Sequence, residues 1–175
     1  MVTTEDEEIA EIARRYGAEI IDRPIELAQD DTLIQPVMEH AVNSLEGYKP
    51  DIIALLNPTS PLRDSIDITM AIQHFTYGHY DSLLTVYPTG FVHLWELGDG
   101  QFTANYDYMH KTRRQEMPEH YRENGAVYLV KRELLMRSHH YIGGNLAVFS
   151  MDASHSIDID SELDFIIAEA LLNEG

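Results

Sequence analysis

Apolar residues recur at two spacings along this chain, and the alternation between them outlines a fold. Ile9, Ile12, Ala13 and Tyr16 stand at i, i+3, i+4 and i+7, one stripe on a helix face. Thr4-Glu5-Asp6-Glu7 reads as a capping box ahead of that stripe, and Gly17 supplies the left-handed residue that ends it. A short strand, "AEIIDRP", closes at Pro24, and the loop "IELAQDD" leads to a second stripe of Ile34, Val37, Met38, Ala41 and Leu45. "DIIALLNP" is too short for a helix and apolar on both faces, the pattern of a parallel strand at a sheet's centre with helices above and below. Asp64 caps a helix whose inward face is Ile68, Ala71, Ile72 and Phe75, and "YDSLLTVYP" is the next strand.

This alternation predicts an α/β domain with right-handed crossovers. From Thr89 to Glu123 it breaks into a polar, aromatic stretch with no sustained period, too long for an ordinary connection and expected to be an arm or lid. Order returns with "NGAVYLVKRELL" and "GGNLAVFSMD". A last helix begins at Ser161, with the stripe Leu163, Ile166, Ile167 and Ala170. No repeat divides the chain, so residues 1–175 are read as one domain with the 89–123 arm inside it.

Charge narrows the function. Thirty acidic residues against 12 basic give a formal charge of -18, which argues against a nucleic-acid surface, because phosphate contacts need basic side chains. No apolar run approaches the roughly 20 residues of a membrane span. The acidic start "MVTTEDEEIA" has no signal-peptide pattern, and the chain has no cysteine for disulfides or thiolate chemistry. The expectation is a cytoplasmic protein.

Three stretches carry candidate chemistry, each with a plain structural alternative. Ligands of open α/β sheets bind beyond the carboxyl ends of the strands, where "NPTSPLR" must lie. Pro58 holds Asn57 extended so that its amide is presented from a fixed backbone, with Thr59, Ser60 and Arg63 as further donors; a rigid turn and helix start would read the same. In "SIDIDSELDF", Asp158 and Asp160 are two apart, so on an extended segment both carboxylates face one side. That suits Mg²⁺, while a solvated loop acid before a capping box is the alternative. "HKTRRQEMPEHYRENGAVY" gathers Lys111, Arg113, Arg114 and Arg122 in an acidic chain. It points to an anionic ligand gripped by guanidinium, with Asn124 and Tyr128 as added polar contacts, or simply to surface charge balance. His139 and His140 have no companion at metal-ligand spacing and read as loop histidines.

Together, "RPIELAQD", "LLNPTSPLRDSIDI", "RRQEMPEHYRENGAVYLVKRELL" and "SIDIDSELDF" resemble, in order and spacing, the N-acylneuraminate cytidylyltransferases, over Val2 to about Leu172. The resemblance implies a Rossmann-like nucleotidyltransferase, with a mostly parallel sheet, helices on both faces and a dimerisation arm. It further implies transfer of CMP from CTP to the anomeric hydroxyl of a 2-keto-3-deoxy nonulosonic (sialic-type) acid, with Mg²⁺ as cofactor and a homodimer as the assembly. By the same resemblance Arg23 lies near the nucleotide, and Asp158 and Asp160 are the catalytic, metal-binding pair. Arg114 meets the sugar carboxylate, while Asn57, Asn124 and Tyr128 contact the sugar.

The chain departs from the family pattern in three places. Asn57 stands where Gln is common, which shortens the reach toward the sugar, and Ser161 replaces a Thr that caps equally well. Family members also open with a strand and a Gly-, Arg-, Ser- and Lys-rich loop that grips the CTP phosphates, whereas "MVTT" looks like the tail of their second strand. The expectation is a chain that starts one strand-loop-helix unit late, by about 30 residues or more, and lacks activity on its own. Two alternatives follow: a non-catalytic remnant that keeps sugar binding or dimer contacts, and an acidic α/β interaction domain outside the family.

Overall fold

A computed structural model describes residues 1–174, the side chains of Arg114 and Glu174 excepted. The chain begins with β1 (Val2–Thr4), α1 (Glu7–Arg15) and β2 (Ile20–Asp22), and the two strands pair in parallel. The cap of α1 is Asp6, not Thr4: the Asp6 carboxylate accepts from the N–H groups of Glu8 and Ile9 at 2.8 and 3.1 Å. Thr4 accepts from the Asp6 N–H instead, which places the helix start two residues later. Gly17, at φ +81°, terminates α1.

Next come α2 (Ile34–Asn43), β3 (Ile52–Leu55), α3 (Ser65–Tyr77) and β4 (Ser82–Pro88). Asp64 caps α3 in a reciprocal box with Asp67, as its position predicts. The arm contains a hairpin, β5 (Trp95–Gly98) and β6 (Gln101–Ala104), which the lack of a long period concealed. Asp99 and Gly100 turn it, both with positive φ, the twist that tight hairpins need. Then follow β7 (Tyr121–Lys131), α4 (Arg132–Ser138), β8 (Leu146–Ser150) and α5 (Glu162–Glu174).

The main sheet has the order β3-β7-β4-β8 and is mixed, not mostly parallel: β7 runs antiparallel to β3 and β4, while β4 and β8 are parallel. The interior strands are β7 and β4, and β7 inserts beside β3 so that β3 lies at an edge where Ile52 is 38% exposed. Successive residues of a strand point to opposite faces, so Leu129 joins α3's Phe75 in one core while Val130 joins α2's Met38 and α4's Leu135 in the other. Helices thus cover both faces. Among the described residues, no strand joins the β1-β2 pair to this sheet.

Two predicted stripes do not bury. On α1, Ile9 and Ile12 face solvent and Ala10 packs inward. On α5, Leu163, Ile166 and Ile167 are exposed and Ala168 is the buried residue. Helical spacing sets which residues share a face, but a face is buried only where a neighbouring element covers it.

Candidate functional site

The site forms where two loops meet a bulge in β7. Beyond β3 the chain turns through Asn57 to Ser60, and Arg63 fixes that turn by donating to the carbonyls of Asn57 and Ser60 at 2.6 and 2.8 Å. Arg63 is thereby occupied in holding the loop, and burial lowers its pKa. The loop after β8 is tied to it, because the Ile159 N–H donates to the Thr59 carbonyl at 2.8 Å. A third element is Gly125, at φ +68°, a conformation that favours glycine. A Cβ there would stand 3.5 Å from Asn57 Nδ2, 3.6 Å from Asp158 Oδ2 and 3.7 Å from Ser60 Oγ. Asn57 and Asp158, 101 residues apart, therefore converge on one glycine.

Asp158 is half-buried, and its Oδ1 is buried with no hydrogen-bond partner among the described residues. An unpaired carboxylate oxygen is costly unless a donor or cation reaches it, so this atom fits a hard divalent ion such as Mg²⁺. Asp160 has different surroundings. It is exposed, and its segment is not a strand that would align the two carboxylates. Among the described residues, the cluster of three groups close enough to share a cation is instead Asp64, Asp67 and His155. Its members are already engaged: Asp67 accepts from the Asp64 N–H and lies 2.8 Å from His155 Nδ1, which fastens the start of α3 to the turn before Asp158.

Asn124 differs from the expectation of a sugar contact. It is 1% exposed and its amide is saturated. Oδ1 accepts from the Thr85 hydroxyl at 2.6 Å and the Ala126 N–H at 3.1 Å, while Nδ2 donates to Ser156 Oγ at 2.9 Å and faces Met151 Sδ at 3.4 Å. With two acceptor and two donor positions taken, it has none left for a ligand. Asn124 holds the bulge and the Asp158 loop together.

Tyr128 is 7% exposed, and its hydroxyl donates to Glu123. Burial first, then the hydrogen bond to Glu123 and the charges of Glu123 and Asp158, push its phenol well above the usual range. The phenol proton is the one it donates to Glu123, and the ring belongs to the Asp158 neighbourhood. Tyr141 packs edge-on to its ring at 5.1 Å. Arg23 lies just beyond β2, paired with Glu5 at 2.9 Å, and its Nε is buried without a partner among the described residues. No described contact brings it to Gly125. The Arg114 side chain lies outside the described residues. Its segment borders a hollow of about 320 Å³ lined by Gly90, Phe91, Gln115, Met117, Pro118 and Glu119.

Sequence reasoning passed over Thr85, Glu123 and Gly125. The Asn-Gly pair at 124–125 is a turn signal inside a strand, which marks a bulge, and Thr85 is a lone hydroxyl in an apolar run.

This architecture is similar to solved nucleotidyltransferases. CMP:2-keto-3-deoxy-manno-octonic acid synthetase, complexed with CTP, matches with a TM-score of 0.68 over 99% of this chain and 80% of that one, at 14% identity. A 4-diphosphocytidyl-2C-methyl-D-erythritol synthase from Anaerococcus prevotii matches with a TM-score of 0.66 over 97% and 77%, at 11% identity. No protein-family model matches the chain. Sequence relatives are closer. A post-translational flagellin modification protein B of Campylobacter coli is 36% identical over 99% of this chain and 77% of its own length. A CMP-N,N'-diacetyllegionaminic acid synthase of Campylobacter jejuni is 35% identical over 99% and 76%. An N-acylneuraminate cytidylyltransferase of Escherichia coli is 30% identical over 96% of this chain, which spans 40% of that relative. The chain belongs to the N-acylneuraminate cytidylyltransferase family and is an enzyme of the CMP-sugar cytidylyltransferase kind. Among the described residues no helix is long and apolar enough to cross a membrane.

Proposed function

We propose that the chain takes part in transfer of CMP from CTP to the anomeric hydroxyl of a nine-carbon 2-keto-3-deoxy acid, the sialic and legionaminic type, with release of pyrophosphate. The observation that carries this reading is the convergence of Asn57 and Asp158 on Gly125, with Tyr128 alongside. In such a transfer the sugar hydroxyl oxygen forms a bond to the α-phosphorus in line with the breaking bond to pyrophosphate, and catalysis is chiefly positioning and charge stabilisation.

Asn57 offers an amide to the sugar from a loop that Arg63 keeps rigid, and Gly125 lets the sugar approach the backbone. Asp158, joined by Asp160 from the exposed side, would hold Mg²⁺, which when bound offsets charge on the phosphate oxygens. Arg114, from the basic cluster, is the partner for the sugar carboxylate, and Arg23 serves the nucleotide. The arm, with Leu97, Phe102 and Met109 exposed, joins two copies, and the protein works in the cytoplasm.

Calorimetry with N-acetylneuraminic acid, N,N'-diacetyllegionaminic acid and CTP, each with Mg²⁺, tests the proposal alongside an assay of pyrophosphate release. Saturable binding of one sugar acid, lost in Arg114→Lys while CTP binding is kept, is expected. Binding without turnover would favour the non-catalytic alternative, and no binding of any of the three would end both readings.

A further inference from the structure

Glu123 and Tyr128 are five residues apart on β7, a spacing that places side chains on opposite faces of a regular strand. The bulge changes this. Leu84 lies opposite Tyr128 and Val86 opposite Glu123, so two steps along β4 match five along β7, an odd difference that inverts the alternation. The result is a buried phenol whose hydroxyl donates to an exposed carboxylate. A phenol carries one proton, and once that proton is committed its oxygen can only accept.

We propose, resting on the function above, that Glu123 is a positioning residue for substrate selection: by taking the single Tyr128 proton it makes the phenol oxygen an acceptor, so the site selects a ligand hydroxyl or acylamido N–H at that point. A carboxylate or ring oxygen brought there would meet lone pairs. Tyr141, edge-on to the ring, restricts it from turning away. Within a sialic-type acid this assigns Tyr128 to the hydroxyl- and acylamido-bearing part of the molecule, away from the carboxylate.

The test combines two readouts on the intact chain. With ¹³Cζ-labelled tyrosine, the Tyr128 resonance is identified by its loss in Tyr128→Phe, and it should move in Glu123→Ala. Calorimetry with N-acetylneuraminic acid should show about tenfold weaker binding for Glu123→Ala, a loss typical of a hydrogen bond to a charged group, with CTP affinity unchanged. Glu123→Gln keeps an acceptor and should stay within about threefold of wild type. Deoxyfluoro analogues, which retain an acceptor but lack the proton, should include one that the wild type binds poorly, with the penalty absent in Tyr128→Phe. That penalty should shrink in Glu123→Ala, whose freed phenol proton can turn toward the analogue, whereas a merely structural Glu123 would leave it unchanged. Wild-type affinity in Glu123→Ala, or an unmoved Tyr128 resonance, overturns the proposal. Failure of the wild type to bind the sugar acid overturns the proposed function itself, and this role with it.

Discussion

The Thr85 hydroxyl donates to Asn124 Oδ1 across 2.6 Å and accepts from the Val127 N–H at 2.9 Å, so one side chain of β4 fastens both ends of the β7 bulge. Everything gathered at Gly125 depends on that bulge. Asn124 passes the constraint on to Ser156, two residues before Asp158, and Ser60 Oγ donates to the Asn124 carbonyl at 3.2 Å.

Thr85→Val keeps the shape and removes the hydroxyl, leaving a buried acceptor and a buried N–H without their partner. A loss of about 1–3 kcal/mol is expected, read as a lower urea midpoint with an unchanged slope. Asn124→Ala should cost at least as much. Because the two share a hydrogen bond, the double variant should lose less than the two single losses added together.

Gly125→Ala places a methyl group at ordinary contact distance from Asn57 and Asp158, so crowding is minor and the strain lies in the backbone at φ +68°. About 1–2 kcal/mol of stability should be lost. The methyl also occupies the space between the Asn57 amide and the Asp158 carboxylate, so sugar binding should weaken by more than stability alone accounts for. Calorimetry at a temperature where both proteins are fully folded separates the two effects.

Asp158→Asn should leave the fold intact, since the carboxylate oxygen it changes makes no hydrogen bond among the described residues. It should abolish any Mg²⁺-dependent rise in melting temperature in the presence of CTP. An undiminished rise would remove Asp158 from the metal site, whereas Asp160→Asn, at an exposed position, should reduce the rise only in part.

Acid should weaken the fold partly through Asp81. The Asn145 N–H first, then Lys131 at 2.8 Å, hold its carboxyl below the usual range. A carboxyl depressed in the folded state stabilises above its unfolded pKa, roughly 3.9, and loses that contribution as pH falls through the lower folded value. Denaturant midpoints of wild type and Asp81→Asn should therefore differ at pH 7 and converge as the pH drops below about 4.

Trp95 is the single tryptophan, sits in the arm and is 47% exposed beside Tyr106 and Tyr108. If the arm joins two copies, its emission should shift to the blue as concentration rises, in step with a larger sedimentation coefficient. Emission independent of concentration, with sedimentation as a monomer, would count against the arm as the contact.

The sequence by itself determined the pieces whose causes are local. Asp64 capping α3, Gly17 ending α1 and the strand at "SLLTVYP" all follow from neighbours within a turn or two, and the acidic, cysteine-free composition is read directly from the chain. It also brought Asn57, Asp158 and Tyr128 into consideration, because their motifs survive in order. Tertiary structure decided what lies between them. Whether "DIIALLNP" is a central or an edge strand depends on where β7 inserts, and strand order has no signature in any single strand. Asn124 became a buried hub because its partners are supplied by Thr85, 39 residues earlier, and Ser156, 32 residues later. The stripe on α5 was legible, but its burial was not, because periodicity defines a face and only a packed neighbour removes that face from water.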